Sequence, residues 1–176
     1  MNLPNKLSIL RVLLTICVVV LLSIPAGFAR AMALVVFALA AITDFVDGYL
    51  ARRQALVTDF GKFIDPIADK ILVISTMLML VELRELSAIV PIVVIFREFA
   101  VDGLRLAAST AKKRKTLAAS KLGKVKTLLQ IFALILYLAR PIGIGILKEI
   151  VMGAALLMTI VSGVDYFIKN KSVFHL

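Results

Sequence analysis

An all-α integral membrane protein is the fold class this sequence predicts, and three observations lead there. The 176-residue chain is 61% hydrophobic and only 18% charged, with a mean hydropathy of +1.03. A soluble domain of this size has too little interior to hide so much apolar surface. Apolar runs near the length that crosses the hydrocarbon, about 20 residues, recur at 12–29, 31–50, 63–81, 86–104, 120–139 and 150–168. The connections between them are short and polar, with no internal repeat, low-complexity tract or soluble insert. The expectation is six transmembrane helices, preceded by a short N-terminal amphipathic interfacial helix, in a single domain over residues 1–176.

The opening residues mix Asn2, Pro4, Asn5 and Ser8 with Leu3, Leu7 and Leu10. That pattern suits a short helix on the membrane surface, started by Pro4. Lys6 to Arg11 followed by Val12–Ala29 imitates a secretory leader, with small residues near Ala26–Ala31 imitating a cleavage site. The run is long for a leader and more spans follow, so it reads as a retained first span. The second span ends in an acidic stretch, residues 53–60 turn the chain, and the third span starts near Gly61 with Pro66 early in it. Glu82–Glu85 is a short outer loop, and 141–149 is an outer connection. The fifth span is fully apolar only from Leu128, so Lys121, Lys124 and Lys126 project into the cytosol or snorkel. Lys169 and Lys171 anchor the last span.

Net charge is +10 and the pI is about 10.1. In a soluble protein that balance suggests nucleic acid; here the cations cluster at span ends, so anionic headgroups are the better partner and no nucleic acid is expected. The termini and the second and fourth connections carry Lys6, Arg11, Arg52, Arg53, Lys62, Arg105, Lys112, Lys113, Arg114, Lys115, Lys121, Lys124, Lys126, Lys169 and Lys171. The other connections carry Arg30, Arg84, Arg140 and Lys148. This asymmetry puts both termini and the acidic stretch on the cytoplasmic side of the cell membrane. The one cysteine, Cys17, allows no disulfide or thiol metal site within one chain and reads as a small buried hydrophobe.

The acidic stretch carries the chemistry. Asp44 and Asp47 are spaced i,i+3, with Gly48 and Arg52 continuing the same helical face. Asp65 and Asp69 are spaced i,i+4, with Gly61 one turn earlier. At the rise of a helix both pairs sit about 5–12 Å below the cytoplasmic surface, where lipid headgroups meet water. Glu98, Asp102 and Arg105 on the fourth span share a face at a similar depth. Charges inside spans are costly and mark function. Pairing with Arg52, Lys62, Lys70 or Arg97 alone would not require so regular a spacing, whereas one or two divalent cations would. Intramembrane acids also suit a divalent-cation transporter, but these lie near one face rather than at the midplane, and no inverted repeat is visible.

The stretch from Asp44 to Asp69 resembles the signature D-x2-D-G-x2-A-R-x8-G-x3-D-x3-D of the CDP-alcohol phosphatidyltransferases, with every fixed position present. The resemblance implies six transmembrane helices, a homodimer, a cytosol-facing polar cavity and dependence on Mg²⁺ or Mn²⁺, two ions per site. Carried onto this chain, Asp44, Asp47 and Asp65 look like ligands of one metal, and Asp44, Asp65 and Asp69 of a second. Asp69 would be the general base. Gly48, Ala51 and Arg52 would fit the CDP portion of the donor, with Asn5 and Thr58 as further contacts.

Outside the signature, Leu3–Ser8 with Arg11, Arg97–Phe99 with Gly103–Leu106, and Leu122–Thr127 look most like the family members that use sn-glycerol 3-phosphate. Asp102 departs from the small or hydroxyl residue expected there. The implied reaction moves a phosphatidyl group from CDP-diacylglycerol to that acceptor, in a bed of membrane lipids. Arg105, Lys121, Lys124 and Lys126 would hold the acceptor phosphate. Inositol phosphate, serine or phosphatidylglycerol are the alternative acceptors, and a neutral one would have no use for those cations.

Overall fold

The computed structural model describes residues 3–54, 59–110, 121–140 and 145–171, with side chains described for 6–43, 67–68, 70–108, 122–140 and 145–171. The described residues form α1 (Leu3–Ser23), α2 (Gly27–Gln54), α3 (Asp59–Glu82), α4 (Ile89–Thr110), α5 (Lys121–Ala139) and α6 (Gly145–Lys169), with no strand among them. Each apolar run of the sequence becomes a helix.

The boundaries move for physical reasons. The amphipathic opening and the first span are one helix rather than two elements. Pro4 falls in the first turn, where a missing N–H is harmless, and residues 5–23 contain no Pro or Gly to interrupt the ladder. Pro25 then disfavours helix for the residue before it, so α1 stops at Ser23 instead of running to Ala29. At the other end of the chain α6 starts at Gly145, before the expected 150.

The chain packs as two compact units: Met1–Leu86 with Leu134–Gly143, and Ser87–Ala133 with Ile144–Leu176. In the first, α1 packs against both α2 and α3. Its buried stripe is Ser8, Arg11, Thr15, Val18 and Leu22, at the 3–4 spacing of one helical face. Leu13, Ile16 and Val20 are exposed on the other side. Cys17 lies on that outward face and is not buried as its small size suggested. In the second unit α4 packs against α6, with Val101 and Leu104 closed over by Tyr166 and Phe167.

Three helices are long and apolar enough to cross a membrane among the described residues: α1 over Lys6–Ser23, α5 over Leu122–Ala139, and α6. α2 is apolar over Gly27–Thr43. Phe28 and Ile42 on α2, and Ile92, Phe96 and Ile168 on α4 and α6, are further exposed large apolar side chains within each unit. Surface of this kind is accommodated by lipid rather than water. The protein is a membrane protein.

The turn after α3 closes that helix within the first unit. Arg84 takes a left-handed φ of 58°. Its N–H donates to Val81 O at 2.9 Å and the Glu85 N–H reaches back to Leu80 O at 2.9 Å. This is a Schellman closure built on arginine where glycine is usual.

Candidate active site

In the first unit the buried stripe of α2 runs Ala29, Ala33, Phe37 and Ala40. Continued at the same 4,3,4 spacing, it passes through positions 44, 47 and 51. On α3 the buried positions Ala68, Leu72, Thr76 and Leu80 define the inner face, and its continuation toward the helix start passes position 65. Position 69 neighbours 68 and 72 on that face. Both aspartate pairs are thus carried on helical backbone, positions 44 and 47 on α2 and positions 65 and 69 on α3. Thr58 lies outside the described residues, as do the side chains of Asn5, Asp44, Asp47, Gly48, Ala51, Arg52, Asp65, Asp69 and Lys121.

Among the side chains that are described, no three His, Cys, Asp or Glu come together. The four aspartates of the stretch are outside that set. Their donor chemistry is all carboxylate oxygen, which suits a hard cation such as Mg²⁺ or Mn²⁺ and not a soft one.

The opposite end of the first unit holds a different polar cluster. Arg30, in the first turn of α2, donates to both Glu85 carboxylate oxygens at 2.7 and 2.6 Å. It also donates to Tyr137 O at 2.7 Å and Leu138 O at 3.2 Å, the last carbonyls of α5. Arg140 adds a second guanidinium to Glu85. Burial alone would raise the Glu85 pKa, but the hydrogen bonds and charges of Arg30 and Arg140 outweigh it and hold the carboxyl below its ordinary value.

The second unit has a buried polar network of its own. Arg97 donates to Glu98 at 3.1 Å and to Ser162 on α6 at 3.2 Å. Lys126 on α5 donates to the same Glu98 oxygen. Gln130, one turn further along α5, donates to Thr159 on α6 at 3.0 Å. Lys126 is therefore 5% exposed and engaged, where the sequence suggested a cation in the cytosol or snorkelling. Its signal was present: position 126 lies one turn before buried Gln130, on the face that continues through Ala133, Leu134 and Tyr137. Lys124 falls off that face and is exposed.

Arg105 is a half-exposed guanidinium steadied by two neighbours. Its Nε donates to the Tyr166 hydroxyl at 3.1 Å, its plane lies 5.4 Å from that ring's centroid, and Asp102 stands 4.0 Å away. Such a group is oriented and keeps donors for an anion. Ser162, Thr159, Gln130 and Tyr166 were not singled out in the sequence, because lone hydroxyl and amide residues inside apolar runs carry no pattern until their partners are placed.

A family model for the CDP-alcohol phosphatidyltransferases matches residues 1–161 of this chain. The chain belongs to the CDP-alcohol phosphatidyltransferase family. It is an enzyme of that class, which answers the transporter alternative. Among its relatives, a CDP-diacylglycerol–glycerol-3-phosphate 3-phosphatidyltransferase of Rickettsia typhi is 40% identical over 98% of this chain and 99% of its own length. A protein of the same name from Bacillus subtilis is 39% identical over 96% of this chain and 95% of its own length. A probable phosphatidylglycerophosphate synthase of Mycobacterium tuberculosis is 39% identical over 94% of this chain and 79% of its own length. In this phosphatidyltransferase the signature spans the second half of α2 and the first part of α3.

Proposed function

We propose that this phosphatidyltransferase moves a phosphatidyl group from CDP-diacylglycerol to sn-glycerol 3-phosphate, releasing CMP and forming phosphatidylglycerophosphate. The observation that carries the reading is similarity over nearly the whole chain to relatives named for that reaction, joined to the complete signature from Asp44 to Asp69.

All six helices cross the cell membrane in this reading, with the first turns of α1 at the interface. Both termini and the acidic stretch face the cytoplasm, and the protein is a homodimer. Asp44, Asp47 and Asp65 would hold one Mg²⁺ or Mn²⁺ ion and Asp44, Asp65 and Asp69 a second; when bound, such ions would neutralise charge on the donor pyrophosphate. Gly48 and Ala51 have little bulk, so the nucleotide can approach the helix closely. Arg52 forks onto a phosphate, and Asn5 and Thr58 complete the CDP contacts. Arg105, Lys121 and Lys124 supply cations for the acceptor phosphate, and Lys126, shared with Glu98, adds to the same positive field.

Asp69 takes the proton of the acceptor hydroxyl. The freed oxygen attacks the phosphorus that carries diacylglycerol, the bond from that phosphorus to the CMP oxygen breaks, and CMP leaves. A carboxylate beside metal is a weak base in water; a hydroxyl held against it offsets that by proximity.

The test is CMP release from CDP-diacylglycerol by the protein in lipid nanodiscs. Release should require both glycerol 3-phosphate and a divalent cation, and Asp69→Asn should abolish it while leaving a folded protein. Full turnover by Asp69→Asn would remove Asp69 from the chemistry, and release without acceptor would contradict a transferase.

A further inference from the structure

Among the described residues Arg11 is the largest fully buried side chain, with 1% of its surface exposed. It lies on α1, which packs against both helices that carry the acidic stretch. A guanidinium does not lose its proton in a protein, so its charge cannot be shed on burial. A charge so placed requires an anion near it.

The first unit offers few anions. Of its acids with described side chains, Glu82 is exposed and Glu85 is held by Arg30 and Arg140. Both follow or close the end of α3 beside the start of α2. Arg11 sits about 18 Å along α1 from the Ser23 end, at the helical rise. Those glutamates are therefore out of reach. The remaining acids of the unit belong to the stretch 44–69. α1 and α2 follow each other through the short break 24–26, and α2 and α3 through 55–58, so the first half of α1 shares an end with that stretch. The buried stripe of α1 changes character along its length to match. Ser8, Arg11 and Thr15 are polar, and Val18 and Leu22 beyond them are apolar. Thr15 turns its hydroxyl to the Arg11 carbonyl at 2.8 Å, not to the guanidinium.

We propose that Arg11 is a positioning residue, the fixed positive charge that keeps the aspartate stretch assembled before divalent cations bind and that those cations then work against. The inference rests on the reading of that stretch as a divalent-cation site. Four carboxylates repel one another when no cation is bound, and a permanent guanidinium in the same unit relieves that repulsion. The same charge opposes the entry of a divalent ion, so removing it makes the site more attractive to metal, by about tenfold or more for charges several ångströms apart.

The experiment uses the full chain in detergent or nanodiscs and reads Mn²⁺ binding by electron paramagnetic resonance, together with the thermal midpoint with and without Mn²⁺. In Arg11→Gln the midpoint should fall when no divalent ion is present and recover at saturating Mn²⁺, and Mn²⁺ should bind about tenfold tighter or more than in wild type. Arg11→Lys keeps the charge, and its midpoint and Mn²⁺ affinity should stay near wild type. A purely packing role predicts a loss of stability that Mn²⁺ does not restore, unchanged Mn²⁺ affinity, and a Lys variant as damaged as the Gln variant; any of these overturns the proposal. If Arg11→Gln does not fold even with Mn²⁺, the Lys variant decides. Failure of wild type to bind Mn²⁺ at all would instead sink the divalent-site reading beneath it.

Discussion

Lys126 on α5 gives its ammonium to the carboxylate of Glu98 on α4, and both are almost shut off from solvent, with side chains 7% and 12% exposed. Arg97 is bonded to the same carboxylate oxygen. Glu98 is thus the anion shared by two cations, and the three residues do not carry equal weight. Glu98→Gln leaves two buried positive charges side by side, at a cost of about 3–5 kcal/mol. Lys126→Met leaves Glu98 still paired with Arg97 and should cost clearly less. Thermal unfolding of the two variants in detergent gives the order directly.

The packing beneath Arg97 makes a second prediction. A Cβ placed at Gly163 would stand 3.1 Å from Arg97 Cγ, and Arg97 is tied by Glu98 and Ser162 and cannot swing freely aside. Gly163→Ala should lose about 1–3 kcal/mol through overpacking. Gly153 on the same helix has open space around it, so Gly153→Ala should gain about 0.5–1 kcal/mol from helix preference alone. Opposite shifts in thermal midpoint are the expected readout.

Two arginines hold left-handed backbone, Arg84 with φ 58° and Arg140 with φ 44°. Arg84 is exposed, so Arg84→Gly should relieve about 1 kcal/mol of backbone strain. Arg140→Gly gains the same relief but loses the guanidinium on Glu85. The first substitution should raise the midpoint and the second should raise it less or lower it.

Glu85 gives a pH dependence with a definite sign. Its carboxyl is held below the ordinary 4.5 by Arg30 and Arg140 against the opposing effect of burial. The folded form is therefore harder to protonate than the unfolded one. The stabilisation is complete above about pH 4.5 and is lost as pH falls through the lower folded value. Glu85→Gln should lower stability at neutral pH and flatten its loss on acidification, measured as thermal midpoint against pH.

Much of this molecule is legible in its sequence. Apolar runs near membrane length became α1 to α6, and fixed spacings of aspartate and glycine identified the family. What stayed hidden had specific causes. The merged opening helix was missed because Pro4 looked like the start of a separate element, although nothing after it breaks the helix before Pro25. Lys126 was grouped with Lys121 and Lys124 by sequence proximity, when its position one turn from Gln130 puts it on the buried face. Arg11 counted only as a terminal cation, because burial of a charge on the first helix depends on packing against α2 and α3 that no local pattern reports.

The central claim is the identity of the acceptor. Purified protein in nanodiscs, given CDP-diacylglycerol and Mg²⁺, should be offered labelled sn-glycerol 3-phosphate, inositol phosphate and serine in turn, and the label extracted into chloroform counted. Glycerol 3-phosphate alone should become lipid-soluble, one for each CMP released. Label appearing in lipid from inositol phosphate or serine instead, or from none of the three, would contradict the account.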